Sequence, residues 1–190
     1  MPFLRALFRV PVRGPRPAPS PRGVLLAPNH QSWLDPIFVQ MAVYPHAITF
    51  LMTDLFFDLP VAGRYFRAVG ARPIREGRPS VEGLRAARDA LEAGAFVCLF
   101  PEGGLTTDGR LQKGQRGVAR LARLTGATVV PVGVRGTLRV LSRLQRLPRL
   151  HPVEVRLGEP MPPVAGEEKE DEVRYTEELM GRIEKLAYAP

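Results

Sequence analysis

One pattern constrains this chain more than any other: a short apolar run, cut off by proline or glycine, followed by a stretch with helical character. Residues 24–27 (VLLA) end at Pro28, and Asp35-Pro36 then marks a helix start, with Asp as N-cap and Pro at the first helical position. Ser80 caps a helix to about Ala93, with Gly94 as its stop, and residues 96–100 (FVCLF) follow as a second buried strand ending at Pro101. The order repeats with a helix over 115–124, closed by Thr125-Gly126, and a strand over 128–134. Residues 153–157 alternate like a strand, and 170–186 carry Val173, Leu179, Ile183 and Leu186 at helical spacing. Residues 48–57 (ITFLMTDLFF) fit either element. Short apolar strands separated by helices imply an α/β fold with a largely parallel central sheet flanked by helices. Such sheets bind ligands at the C-terminal ends of their strands. Asn29-His30 and Pro101-Glu102-Gly103-Gly104 both stand there.

A length of 190 residues suits one domain. Residues 1–22 pass into VRGPRPAPSPRG, where Pro, Gly and Arg forbid regular structure, and read as a basic N-terminal arm. Residues 23–190 read as the domain itself, ending in a helix. A single cysteine, Cys98, excludes an internal disulfide framework and fits a reducing compartment. The longest uncharged apolar stretch, 37–52, is interrupted by Gln40, Tyr44, Pro45 and His46 and is too short to span a membrane. The expected location is therefore cytoplasmic.

Charge points to partners. The net charge is +8, with residues 1–80 at +6, 81–150 at +7 and 151–190 at −5. A basic body favours phosphate-bearing partners. Nucleic acid fits poorly, because aromatics make up 7% of the chain and are not interleaved with the bases.

Two constellations could carry chemistry. His30 and Asp35 are five positions apart, about 140° around an ideal helix, so they meet only across a turn. The Pro28 break and the Asp35-Pro36 start supply one. A carboxylate on one imidazole nitrogen fixes the tautomer and frees the other nitrogen to deprotonate a hydroxyl. Equally, Asp35 could be a helix cap and His30 a loop histidine. No His or Cys cluster has metal-ligand spacing, so no metal is expected. In Glu102-Gly103-Gly104, paired glycines could form an anion nest or a simple turn. The order required of a P-loop is absent.

Taken in order, the blocks Asn29-His30…Asp35, Gly70-Ala71-Arg72-Pro73-Ile74-Arg75, Phe100-Pro101-Glu102-Gly103 and Val130-Pro131-Val132 resemble the glycerophospholipid acyltransferase family (1-acylglycerol-3-phosphate acyltransferase-like). The resemblance runs from about Val24 to Pro160 and takes in Lys113-Gly114. It implies an O-acyltransferase that moves a fatty acyl group from an acyl thioester, acyl-CoA or acyl carrier protein, to the free hydroxyl of lysophosphatidate or a related lysophospholipid. No other cofactor is implied. His30, oriented by Asp35, would be the general base, and Arg75, Glu102, Gly103, Gly104 and Lys113 would bind the acceptor. Two departures stand out. Leu105 occupies the place of the family's phosphate-binding arginine, for which Arg110, Lys113 or Arg116 could substitute, and Glu76 replaces the usual second-block arginine. Thr106-Thr107-Asp108-Gly109 resembles the branch that reacylates lysophospholipids carrying a head group. A catalytically silent lipid-binding module on the same scaffold is the alternative.

A lipid acceptor calls for a surface mode of membrane contact. Arginines at 135, 139, 143 and 146 have helical spacing, with Leu138, Leu141, Leu144 and Leu147 between them. That spacing predicts a basic amphipathic helix on an anionic membrane surface. Arg5 and Arg9, with Phe3, Leu4, Leu7 and Phe8, offer a second contact. The protein is expected at the inner face of the cell membrane, held peripherally.

Overall fold

The computed structural model describes residues 10–53, 63–64, 72–74, 81–145 and 147–189. Its strands are β1 (Val12–Arg13), β2 (Val24–Pro28), β3 (Ile48–Thr53), β4 (Arg72–Ile74), β5 (Phe96–Cys98), β6 (Thr128–Arg135) and β7 (Glu154–Leu157). The helices are α1 (Asp35–Val43), α2 (Val81–Glu92), α3 (Gly117–Thr125), α4 (Thr137–Leu141) and α5 (Lys169–Tyr188). The strands form one sheet in the order β1-β7-β6-β2-β5-β3-β4. Every neighbouring pair is parallel except β6 and β7. The α/β expectation therefore holds.

Alternation along the strands divides the core into two layers. Val24 and Leu26 of β2, with Val130, Val132 and Val134 of β6, pack with Phe38, Val39 and Met41 of α1. Leu25 and Ala27 face the other way, onto Leu91 of α2, Leu121 of α3 and Leu179 and Ile183 of α5. Strands covered by helices on both faces need apolar residues on both, which is why VLLA is a continuous run. α5 lies close against β6. A Cβ placed on Gly133 would come within 2.5 Å of the Leu186 backbone.

Three expectations need correction. Residues 10–13 do not belong to a free arm: Val10 is buried, and Val12–Arg13 pairs with β7 as an edge strand. Short edge strands tolerate flanking prolines because one side of the ladder is unpaired. The basic amphipathic helix is also absent among the described residues. β6 runs through Arg135, α4 spans only Thr137–Leu141, and a closed loop follows. Gly136, at φ 85°, separates strand from helix. Finally, Asp35 is not an N-cap, since no side chain caps α1 and its carboxylate turns back onto the preceding loop. Ser80, residues 1–9, residues 54–57 and Arg146 lie outside the described residues. Among the described residues, no helix is long and apolar enough to cross a membrane.

Candidate functional site

β2 and β5 are adjacent and parallel, so the loops that leave their C-terminal ends emerge side by side. Pro28 ends the β2 run with no N–H to donate. Asn29 continues the attachment by side chain: its Nδ2 donates to the Val134 carbonyl (3.0 Å) and its Oδ1 accepts from the Val134 N–H (2.7 Å). Asn29 is fully buried, and this clamp to β6 fixes where His30 leaves the sheet.

The loop then folds around one oxygen. Asp35 Oδ2 accepts from the Gln31 N–H (2.6 Å), the Ser32 N–H (2.8 Å) and His30 Nδ1 (3.0 Å). The first two are fixed backbone donors that aim the carboxylate. Because Oδ2 is an acceptor, Nδ1 carries the proton in this contact, and Nε2 presents its lone pair. Asp35 is fully buried and the His30 side chain is 15% exposed. The imidazole stacks on Phe100 at 3.8 Å between centroids, which holds the ring plane.

Glu102 anchors the other side. Its Oε1 accepts the His30 N–H (2.6 Å) and its Oε2 the Gln112 N–H (2.8 Å), tying the β2 loop to the 105–115 segment. The His30 carbonyl in turn accepts from the Thr106 N–H (3.0 Å). Burial pushes the Glu102 carboxyl above its ordinary value, with the two backbone donors opposing that shift. Gly103 has φ 74°, and a Cβ there would overlap the Gln115 side chain, whose Nε2 would lie 2.1 Å away. Gly104 is exposed, and a Cβ there meets nothing within 4 Å.

Of the residues singled out from sequence, the structure brings together His30, Asp35 and Glu102, with Gly103 and Gly104 at the loop's outer turn. Lys113 is exposed and lines a separate groove of about 960 Å³ between the 111–117 segment, α2 and α5. His30, Asp35 and Phe100 do not line that groove. Arg75 lies outside the described residues. Leu105, at the position where the resemblance leads one to expect an arginine, is buried. Arg116 is engaged with Glu172 at 2.9 Å. Sequence reasoning missed Tyr188, on the last turn of α5. Its hydroxyl donates to the Gly109 carbonyl (2.9 Å), and Gln31 Nε2 donates both to that carbonyl (3.0 Å) and to the Tyr188 oxygen (2.9 Å). Burial pushes the Tyr188 phenol up to about 12, so it stays protonated.

A buried carboxylate aiming a partly exposed imidazole, whose Nε2 makes no hydrogen bond among the described residues, is equipped to accept a proton from a hydroxyl. Among the described residues, no cluster of His, Cys, Asp or Glu is arranged to hold a metal ion.

Comparison with known proteins bears on the family and the fold. A model of the family described as Acyltransferase matches residues 9–135. The chain is 37% identical over 123 residues to a 1-acyl-sn-glycerol-3-phosphate acyltransferase of Neisseria gonorrhoeae, covering 63% of this chain and 47% of that protein. It is 32% identical over 115 residues to a chloroplastic 1-acyl-sn-glycerol-3-phosphate acyltransferase of Arabidopsis thaliana, covering 60% of this chain and 32% of that one. The chain thus spans about a third to a half of the length of these curated relatives. The crystal structure of the 1-acyl-sn-glycerophosphate acyltransferase PlsC from Thermotoga maritima superposes with a TM-score of 0.75 at 26% identity, covering 93% of this chain and 71% of that one.

Proposed function

The chain belongs to the acyltransferase family, and on that premise we propose that it transfers a fatty acyl group from an acyl thioester to the free hydroxyl of lysophosphatidate or a related lysophospholipid. The observation that carries this reading is the three-donor Asp35 Oδ2 holding His30 at the mouth of a largely parallel sheet.

In the proposed reaction, His30 Nε2 removes the acceptor's hydroxyl proton as its oxygen attacks the thioester carbonyl carbon. The imidazolium that forms keeps its Nδ1–H on Asp35, whose buried charge stabilises it. The tetrahedral intermediate collapses with cleavage of the carbon–sulfur bond. The departing thiolate takes the proton from Nε2, giving an ester, a free thiol and the starting form of His30. Base, hydroxyl and thioester close the balance of this transfer. Either acyl-CoA or an acyl carrier protein would supply the thioester. The acceptor places the reaction at a membrane surface, reached peripherally from the cytoplasmic side.

The acceptor's phosphate needs cations. With Leu105 turned into the protein, Arg75, Arg110 and Lys113 are the proposed candidates.

A thiol-release assay tests the reading. Acyl-CoA and an acyl carrier protein thioester are each offered with lysophosphatidate, lysophosphatidylethanolamine, lysophosphatidylglycerol and glycerol 3-phosphate. Release that depends on the acceptor and is abolished in a folded His30→Ala variant is the expected result. Turnover retained in that variant would sink the mechanism. Silence with both donors, with lipid binding intact, would establish the non-catalytic module instead.

A further inference from the structure

The loop after α4 is the most apolar exposed surface of the described molecule. Leu144, Leu147 and Leu150 are 82%, 76% and 70% exposed, the three most exposed large apolar side chains among the described residues. They fall within seven positions. The same stretch is cationic throughout: residues 136–153 contain Arg139, Arg143, Arg146 and Arg149 and no Asp or Glu. Arg139, Arg143 and Arg149 are exposed and form no ion pair with an acid among the described residues. By contrast, Arg116, Arg123, Arg135 and Arg156 each meet a glutamate.

The loop is tied together by its own hydrogen bonds. The Arg149 N–H donates to the Val140 carbonyl (2.7 Å) and closes its base. Inside it, the Ser142 N–H donates to Gln145 Oε1 (2.8 Å) and the Gln145 N–H to the Ser142 carbonyl (3.1 Å). Its root is part of the site: Ser32 Oγ donates to the Leu141 carbonyl (2.8 Å), and Ser32 is two residues from His30.

We infer that residues 139–150 form a membrane-seating loop, in which Leu144, Leu147 and Leu150 enter the bilayer interface while Arg139, Arg143 and Arg149 bind anionic headgroups. This rests on the lipid acceptor proposed above. An apolar patch alone would suit a second copy of the chain, and an acidic carrier protein would answer the arginines. Outward leucines interleaved with unpaired cations match a layer that is anionic at its surface and apolar beneath it. Because the loop is rooted beside His30, seating it would present the imidazole to the layer where a lysophospholipid's headgroup lies. The basic face survives the loss of the expected helix, carried by a loop instead.

The test uses the full chain, co-sedimented with phosphatidylcholine vesicles with and without phosphatidylglycerol. One variant combines Leu144→Ser, Leu147→Ser and Leu150→Ser. A second replaces Arg139, Arg143 and Arg149 by Gln. Every substituted side chain is exposed, so both variants should melt with the parent. The wild type is expected to prefer phosphatidylglycerol vesicles. The arginine variant should lose about a hundredfold in binding to them, together with most of the salt sensitivity. The leucine variant should lose at least about tenfold at every salt concentration. Turnover on a water-soluble short-chain acceptor should stay unchanged in both. Vesicle binding does not depend on turnover, so loss of binding without any turnover upholds the surface and removes only the reaction. Unchanged vesicle binding in both variants overturns the loop. A wild-type dimer dissolved by the serine substitutions, with vesicle binding unchanged, overturns it in favour of a second copy. A defect confined to turnover with the carrier protein donor overturns it in favour of that partner.

Discussion

An oxygen that accepts three donors leaves its residue little freedom, and Asp35 Oδ2 is in that position. An Asn in its place keeps shape and volume but carries no charge to stabilise an imidazolium. Asp35→Asn should therefore lower kcat about 10³–10⁴-fold with Tm little changed, read by thiol release and thermal melting. A loss of less than tenfold would remove Asp35 from the mechanism. Glu102 raises a different expectation. Burial raises its carboxyl above its ordinary value, so the folded chain holds that proton more tightly than the unfolded one. The linked stability is full below the ordinary carboxylate pKa and declines as pH rises through the raised value. Glu102→Gln cannot titrate, so the wild type's stability advantage over it should be largest in acid and narrow toward neutrality. Paired melting curves across that range check this, and a gap that widens with pH would contradict it. His30 and Asp35 were legible in the sequence because a local turn joins them. Glu102 was noticed, but its neighbours were not legible: its two carboxylate oxygens accept from backbone N–H groups, at His30 and Gln112, and backbone donors leave no mark on residue type. Tyr188 left no signal, because its partner Gln31 is 157 residues away and only the packing of α5 brings them together.

Elements bounded by prolines and glycines were the readable ones. β2, β5 and β6 follow the apolar runs within a residue or two, and α3 ends at Gly126, whose φ of 68° suits a helix stop. The helix expected from the arginine spacing failed because β6 claims Arg135, and a period of about four residues cannot reveal that a strand has not yet ended. β1 was hidden for the opposite reason: two residues on a sheet edge are too few to make a pattern. The contact of α5 with β6 makes a sharper claim. Gly133→Ala would force the Leu186 backbone away, costing about 1–3 kcal/mol of stability. It should also lift Tyr188 from Gly109 and Gln31. Tm should fall by several degrees and kcat should drop with it, whereas Tyr188→Phe should affect kcat with a smaller loss of Tm. Equal Tm in Gly133→Ala and wild type would show that α5 can shift without strain.

Across the whole molecule, the acidic C-terminal quarter works as a set of counter-charges. Glu154 serves Arg13, Arg135 and Arg156, and Glu172 serves Arg116 and Arg123. This pairing leaves Arg139, Arg143 and Arg149 without acidic partners among the described residues, on a chain whose net charge is +8. His30 hangs from β2, which has β5 on one side and β6 on the other and a packed layer of core above and below. No fraying of a sheet edge can reach it. In hydrogen-exchange terms, the amides of Leu25 and Leu26 should open only with the whole chain, at the global unfolding free energy, while those of β1 exchange through local openings. His30, the proposed base, should then stay in register at every temperature at which the protein is folded at all. Heat inactivation and melting should follow a single curve, without the early loss of activity seen in enzymes whose chemistry rides on a mobile rim.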